Sequence, residues 1–176
     1  MSSAFEYFTG KHTIKPGRTL VVGSKCYNSK PDRRGLYPDA LGLDLFAGDG
    51  VDFTHDLEYP LSEKRGKFDH IDCCSVLEHV ARPWLFCENI EKVMSDGATI
   101  LLSVPFVWRV HAYPGDYWRI TPGALTILFP NIDWTERHFI AGDKIIKKTP
   151  SIFDGERRWL ERSEVVGFGV KCATVF

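Results

Sequence analysis

Apolar residues fall in short runs separated by glycine, proline and charged turns, not in long periodic stretches. Residues 19–23, TLVVG, are a continuous apolar run closed by glycine, the pattern of a parallel strand buried on both faces. A second run, ALGLDL, covers residues 40–45 and leads into the turn-prone FAGDG. VDFTHDL at 51–57 alternates well enough to predict a third short strand, and FDHIDCC at 68–74 a fourth. The clearest helix is predicted over 82–95. Pro83 suits its first turn, Trp84, Cys87, Ile90 and Met94 recur at helical spacing, and Gly97 stands where a left-handed cap is wanted. ATILLSVPF at 98–106 reads as a buried strand.

Thr121-Pro122 opens a second helix, with threonine as N-cap and proline at the first position, running to the break at Pro130. WTERHFI (134–140) and the final segment 163–176 are the last strand candidates, whereas residues 24–40 are poor in helix formers. Strands alternating with crossovers predict an α/β fold with a mostly parallel sheet covered on both faces. Ligands of such sheets bind beyond the carboxyl ends of the strands. That places Gly23, Asp44, Asp56, Cys74 and Phe106 where function is expected.

A length of 176 residues predicts one domain over 1–176, large enough to bury about 70% of its unfolded surface. The formal charge of −1 carries no basic footprint, so no nucleic-acid partner is expected. The five cysteines, with an adjacent pair and no CxxC spacing, predict reduced thiols in a cytoplasmic protein rather than a disulfide framework or zinc site. No apolar run reaches membrane length, so no membrane partner is expected.

Gly23 closes the first strand, and Asp44 ends the second about 20 residues on, the spacing of a nucleoside site. Glycine admits a ligand close to the backbone, and the carboxylate accepts from ribose hydroxyls. Taken alone, the pair is more often ordinary turn chemistry than a site. Further along, Phe68-Asp69, Val76-Leu77-Glu78-His79-Val80, Asp96-Gly97 and Ser103-Val104-Pro105 stand in order, followed by HAYPGDYWRITPGAL at 111–125. Together with LGLDLFAGDGVDFTHDLE upstream, these resemble the class I S-adenosylmethionine-dependent methyltransferases over about residues 19–128, in particular a bacterial branch with an H-x-Y-P-x-D-Y-W-R-x-T-P run. The resemblance implies a Rossmann-like sandwich with an antiparallel strand near the C-terminus, S-adenosylmethionine as cofactor, and methyl transfer to oxygen or nitrogen of a small-molecule acceptor. One departure stands out. The family's first loop carries an acidic residue and several glycines, whereas VVGSKCYNSKP has Gly23 alone.

Carried over position by position, the resemblance puts Gly23 and Ser24 beside the methionine part of the cofactor. It puts Asp44 on the ribose, with Leu45 beside the adenine, and Asp56 on the adenine amino group. Leu57 would pack on the ring or donate its backbone N–H, and Cys73 and Cys74 would line the floor. Against these stand plainer readings: Asp56 as a turn cap and the cysteines as core. His111 is the candidate base and Tyr113 a positioning group.

Glu78-His79 invites a metal reading, because small-RNA 2′-O-methyltransferases use an E-x-x-E-H run as ligands. Ser75 replaces the first glutamate here, so no metal is expected. With about eighteen residues before the first strand, the acceptor pocket is expected to need a partner chain or large substrate to complete it. The competing reading is a non-catalytic, methyltransferase-like interaction module with a degenerate glycine loop.

Overall fold

The computed structural model describes residues 11–12, 14, 17–27, 31–111, 114–141, 144–146 and 163–173. Its strands are β1 (Arg18–Val22), β2 (Asp39–Asp44), β3 (Phe53–Thr54), β4 (Phe68–Cys74), β5 (Met94–Val107), β6 (Ile132–Ala141), β7 (Lys144–Ile146) and β8 (Ser163–Lys171). The described α-helices are α1 (Pro83–Val93) and α2 (Pro122–Leu128). The eight described strands form one sheet in the order β3-β2-β1-β4-β5-β8-β6-β7. The first five are parallel to one another, and β8, β6 and β7 pair antiparallel. This is the Rossmann-like arrangement expected, with an antiparallel C-terminal block of three strands rather than one.

The register explains the core. Leu41, Leu20, Ile71 and Ile100 lie side by side across β2, β1, β4 and β5. On this face they join Phe86, Cys87, Ile90 and Val93 of α1 and Leu125 of α2 in one cluster. Each fully buried aliphatic or aromatic side chain there contributes about 1.5–3 kcal/mol. Helix α1 buries one stripe, but Trp84 lies off it and is exposed, edge-on to Trp118 with ring centroids 6.5 Å apart. The expected apolar stripe therefore loses its first member.

Met94, its expected last member, is extended and begins β5, so the helix passes straight into strand. Gly97 does take a left-handed φ of +73°, but within the lead of β5 and not as the helix cap. Lysines serve this helix end instead: Lys67 donates to the Lys92 carbonyl and Lys171 to that of Met94 (2.9 Å). Thr121 caps α2 as expected, accepting from the Ala124 N–H at 3.3 Å.

The opposite face is more polar. Val21, Leu101, Val166 and Phe168 bury there beside His70, Asp72 and Ser103. The segment after β1 forms a short 3₁₀ turn at Arg33–Leu36 in place of a crossover helix. From that turn Arg33 reaches beneath the sheet end, donating to the Val22 carbonyl (2.8 Å) and the Cys74 carbonyl (3.3 Å) and pairing with Asp72 at 3.4 Å. Tyr37 O–H donates to Asp72 at 3.1 Å. An ion pair between Arg33 and the buried Asp72 thus lies where a crossover helix would pack.

Two strand expectations need shortening. Only Phe53–Thr54 of the 51–57 segment pairs, because Asp52 turns its carboxylate onto the Gly42 N–H (2.6 Å) and Asp56 starts a turn. The last strand ends at Lys171, where the Cys172 N–H is drawn to the Asn131 carbonyl. No described helix is long and apolar enough to cross a membrane. All five cysteines are free thiols.

Candidate active site

The carboxyl ends of the parallel strands carry two groups of residues. Over β1, β2 and β3 lie the expected cofactor residues other than Cys73 and Cys74, which end β4. Gly23 has a φ of +65°, and a Cβ there would meet the Val76 side chain at 2.5 Å, so its glycine is required by packing as well as by the turn. Ser24 is buried, and its hydroxyl meets no hydrogen-bond partner among the described residues. Asp44 is half-buried and accepts from the Lys25 N–H (3.1 Å) and the Phe46 N–H (3.2 Å). A carboxylate has about four acceptor positions, so capacity for two hydroxyls is left. Leu45 and Phe46 beside it are both 44% exposed.

Asp56 caps a turn, accepting from the Glu58 N–H at 2.9 Å. The Leu57 side chain is buried in the core, and its carbonyl accepts from Asn89 (2.9 Å), which leaves its backbone N–H as the group able to meet a ligand. Cys73 and Cys74 point to opposite faces of the sheet, and burial pushes both thiols well above the usual range. They are packing groups beneath the site. The loop after β2 also closes on the loop after β1: a Cβ on Gly50 would lie 2.6 Å from the Ser24 carbonyl oxygen.

The second group sits over β4 and β5. Ser75 leaves β4 with a φ of +56°, the one positive φ outside glycine among the described residues, and its N–H donates to the Ser103 carbonyl (2.8 Å). That turn sends Glu78 inward. Its side chain is fully buried, and neither oxygen meets a donor on another described residue. Burial raises its carboxyl to about 8.

His79 hydrogen-bonds through Nδ1 to the Gly115 carbonyl. His111 places Nδ1 3.1 Å from Asp116 Oδ2 and 3.3 Å from the Arg109 carbonyl. Arg119 binds the Asp116 carboxylate (2.8 Å) and holds it far below the usual carboxylate range. The Nε2 atoms of His79 and His111 both face Glu78 Oε1, at 3.5 and 3.8 Å. The loop is docked by the Tyr117 N–H onto the Glu78 carbonyl and by Trp118 Nε1 onto the Val80 carbonyl, each at 2.8 Å. Tyr113 lies outside the described residues.

The structure thus brings His111 together with Glu78 and His79, a grouping the sequence did not single out. The signal was the His111–Asp116 spacing within HAYPGD, which lets one carboxylate hold both the backbone and ring of the histidine.

Among solved structures the fold recurs in S-adenosylmethionine-dependent methyltransferases. A chain of the complex between the Haloferax volcanii Trm112 methyltransferase activator and a methyltransferase matches at TM-score 0.65 and 15% identity, over 97% of this chain and 89% of that one. A Bacillus halodurans C-125 protein described as a methyltransferase matches at 0.67 and 10%, covering 98% and 100%. Burkholderia thailandensis 1,6-didemethyltoxoflavin-N1-methyltransferase, with its acceptor and S-adenosylhomocysteine bound, matches at 0.63 and 14%, covering 90% and 72%. No family model and no curated protein matches the chain. The fold is therefore that of the Rossmann-like methyltransferases.

Proposed function

We propose that the protein is an S-adenosylmethionine-dependent methyltransferase acting on oxygen or nitrogen of a small molecule. The observation that carries this is the split of the strand ends: a half-open carboxylate, Asp44, over β2 and a histidine–glutamate cluster over β4 and β5. Asp44 would hold the ribose, the exposed Leu45 would border the adenine, and Gly23 and Ser24 would face the methionine end. Asp56 and the Leu57 N–H would meet the adenine edge, above Cys73 and Cys74. The cofactor supplies an electrophilic methyl group; the chain aligns the acceptor and takes up its proton.

His111 would accept that proton at Nε2, because Nδ1 faces only acceptors and must carry its own hydrogen. Tyr113, two residues on, would position the acceptor. Tyr59, Trp84 and Tyr117 are each more than half exposed near the same edge, which supports a partner chain closing the acceptor side. The close approach of Gly50 to Ser24 favours, as second reading, an interaction module without turnover.

The test is S-adenosylhomocysteine release from S-adenosylmethionine with a panel of small hydroxyl and amine acceptors. Turnover whose KM for S-adenosylmethionine rises in Asp44→Ala supports the enzyme. No turnover with any acceptor, despite bound cofactor, supports the module.

A further inference from the structure

We infer that Glu78, His79 and His111 form a binding site for one first-row divalent transition cation. One ligand atom from each residue lies within 4.8 Å of the others. His79 Nδ1 faces a carbonyl, and His111 Nδ1 faces a carbonyl and a carboxylate that Arg119 keeps ionised. Both Nδ1 atoms therefore carry hydrogen, and in the neutral rings both Nε2 atoms present lone pairs. These lone pairs converge on a carboxylate that is wholly buried and meets no donor on another described residue.

With both rings neutral and Glu78 ionised, three acceptors face one another. A proton on Glu78 or on either Nε2 does not resolve this, because 3.5 and 3.8 Å lie beyond the usual range of an O–H···N or N–H···O bond. They are close to the roughly 3.0–3.4 Å edges between ligands placed about 2.1 Å from one cation.

The outer contacts agree. A ligating imidazole normally donates its other N–H to a carbonyl or carboxylate, which fixes ring and tautomer. Gly115 does this for His79 and Asp116 for His111. Gly115 is itself constrained, since a Cβ there would meet the Tyr117 ring at 2.2 Å. Two imidazoles and one carboxylate suit zinc, manganese, iron or cobalt better than calcium or magnesium, which prefer oxygen alone. The site opens outward, with the His111 side chain 34% exposed and Glu78 fully buried, so positions remain for water or an acceptor oxygen. With the cation in place His111 is a ligand, and the acidity of a bound acceptor hydroxyl is supplied by the cation. That last role rests on the methyltransferase reading; the site itself does not.

The experiment is titration of the chelator-stripped full chain with Co²⁺, followed by calorimetry and by visible absorption. One equivalent should bind, with an absorption band of nitrogen–oxygen coordination. Glu78→Gln and His111→Ala should each weaken binding at least tenfold, and Asp116→Asn 10–100-fold, the range for an outer-contact residue. Circular dichroism identifies variants that fail to fold. His111→Ala, on a half-exposed loop, keeps the test open if Glu78→Gln does not fold. Absence of binding by the folded protein, or equal binding in folded variants, overturns the site. S-adenosylhomocysteine titration of the same stripped protein reads the cofactor side separately, so the two failures are distinguishable.

Discussion

Asp116 holds His111 twice through one oxygen: Oδ2 accepts from the backbone N–H at 2.9 Å and faces ring Nδ1 at 3.1 Å. Loop path and ring orientation are therefore set by one carboxylate, which Arg119 keeps charged. Replacing Asp116 by alanine should free the ring while leaving the sheet intact. Turnover should fall 10–100-fold, as for residues that orient a catalytic or ligating histidine. Asp116→Glu should recover part of the loss, whereas a purely structural role would appear as a lower Tm with kcat unchanged.

If His111 takes the acceptor's proton or serves the same chemistry through a cation, His111→Ala should reduce turnover about 10²–10⁴-fold. Affinity for S-adenosylhomocysteine should stay the same, because the proposed ribose and adenine contacts, Asp44 and Asp56, follow β2 and β3 and not β5. Steady-state kinetics beside calorimetry separates the two. Unchanged turnover on the true acceptor would assign His111 to loop structure alone.

Arg33 stands in for a missing helix, and its guanidinium is paired with a fully buried Asp72. Arg33→Ala should destabilise the protein by about 3–5 kcal/mol, since it strands an uncompensated buried carboxylate. The double change Arg33→Met with Asp72→Leu should recover most of that. Denaturant unfolding measures both, and a single-variant loss below 1 kcal/mol would show that the pair is not embedded as described.

His70 sets an acid limit to stability. Its ring is buried against Thr99 Oγ1 (2.7 Å), and burial holds it down to about 4. The unfolded chain takes up this proton near 6.5, so the contribution is intact above that pH and is lost as pH falls toward 4. The full loss is about 3 kcal/mol. His70→Leu should flatten Tm against pH between 6.5 and 4 relative to wild type. Parallel curves would show that other groups carry the acid limb.

The parallel strands were legible because their apolar runs end in punctuating residues. Phe68–Cys74 was bounded correctly, and Thr121-Pro122 marked its helix. The end of α1 was not, since Lys67 and Lys171 serve its last carbonyls from distant segments and no local residue signals the stop. Trp84 obeyed helical spacing yet faces solvent, because burial is decided by the sheet beneath and not by the repeat.

In the candidate site, the sequence pointed to Asp44 and His111 singly. It argued against a metal because Ser75 replaces a glutamate and because Glu78-His79, even with one more histidine, makes a thin ligand set. The third member, His111, comes from a different loop, and only the fold brings it to Glu78. For Asp56 the turn-cap reading matches the hydrogen bond formed, and for Cys73 and Cys74 so does core packing.

Asp44 offers the sharpest single-residue test of the cofactor side. Its carboxylate has two backbone donors and capacity for the ribose hydroxyls. Asp44→Ala should weaken S-adenosylhomocysteine binding by about 1.5–3 kcal/mol, the range for hydrogen bonds to a charged group. Equal calorimetric affinity in the variant would remove Asp44 from the site.

The central claim is that these strand ends bind S-adenosylmethionine, and thermal unfolding with S-adenosylhomocysteine tests it most directly. A ligand bound only by the folded state should raise stability by about 2.7 kcal/mol at 100 times its Kd, with Tm climbing as concentration rises. A folded protein whose Tm does not move at millimolar S-adenosylhomocysteine would contradict the account.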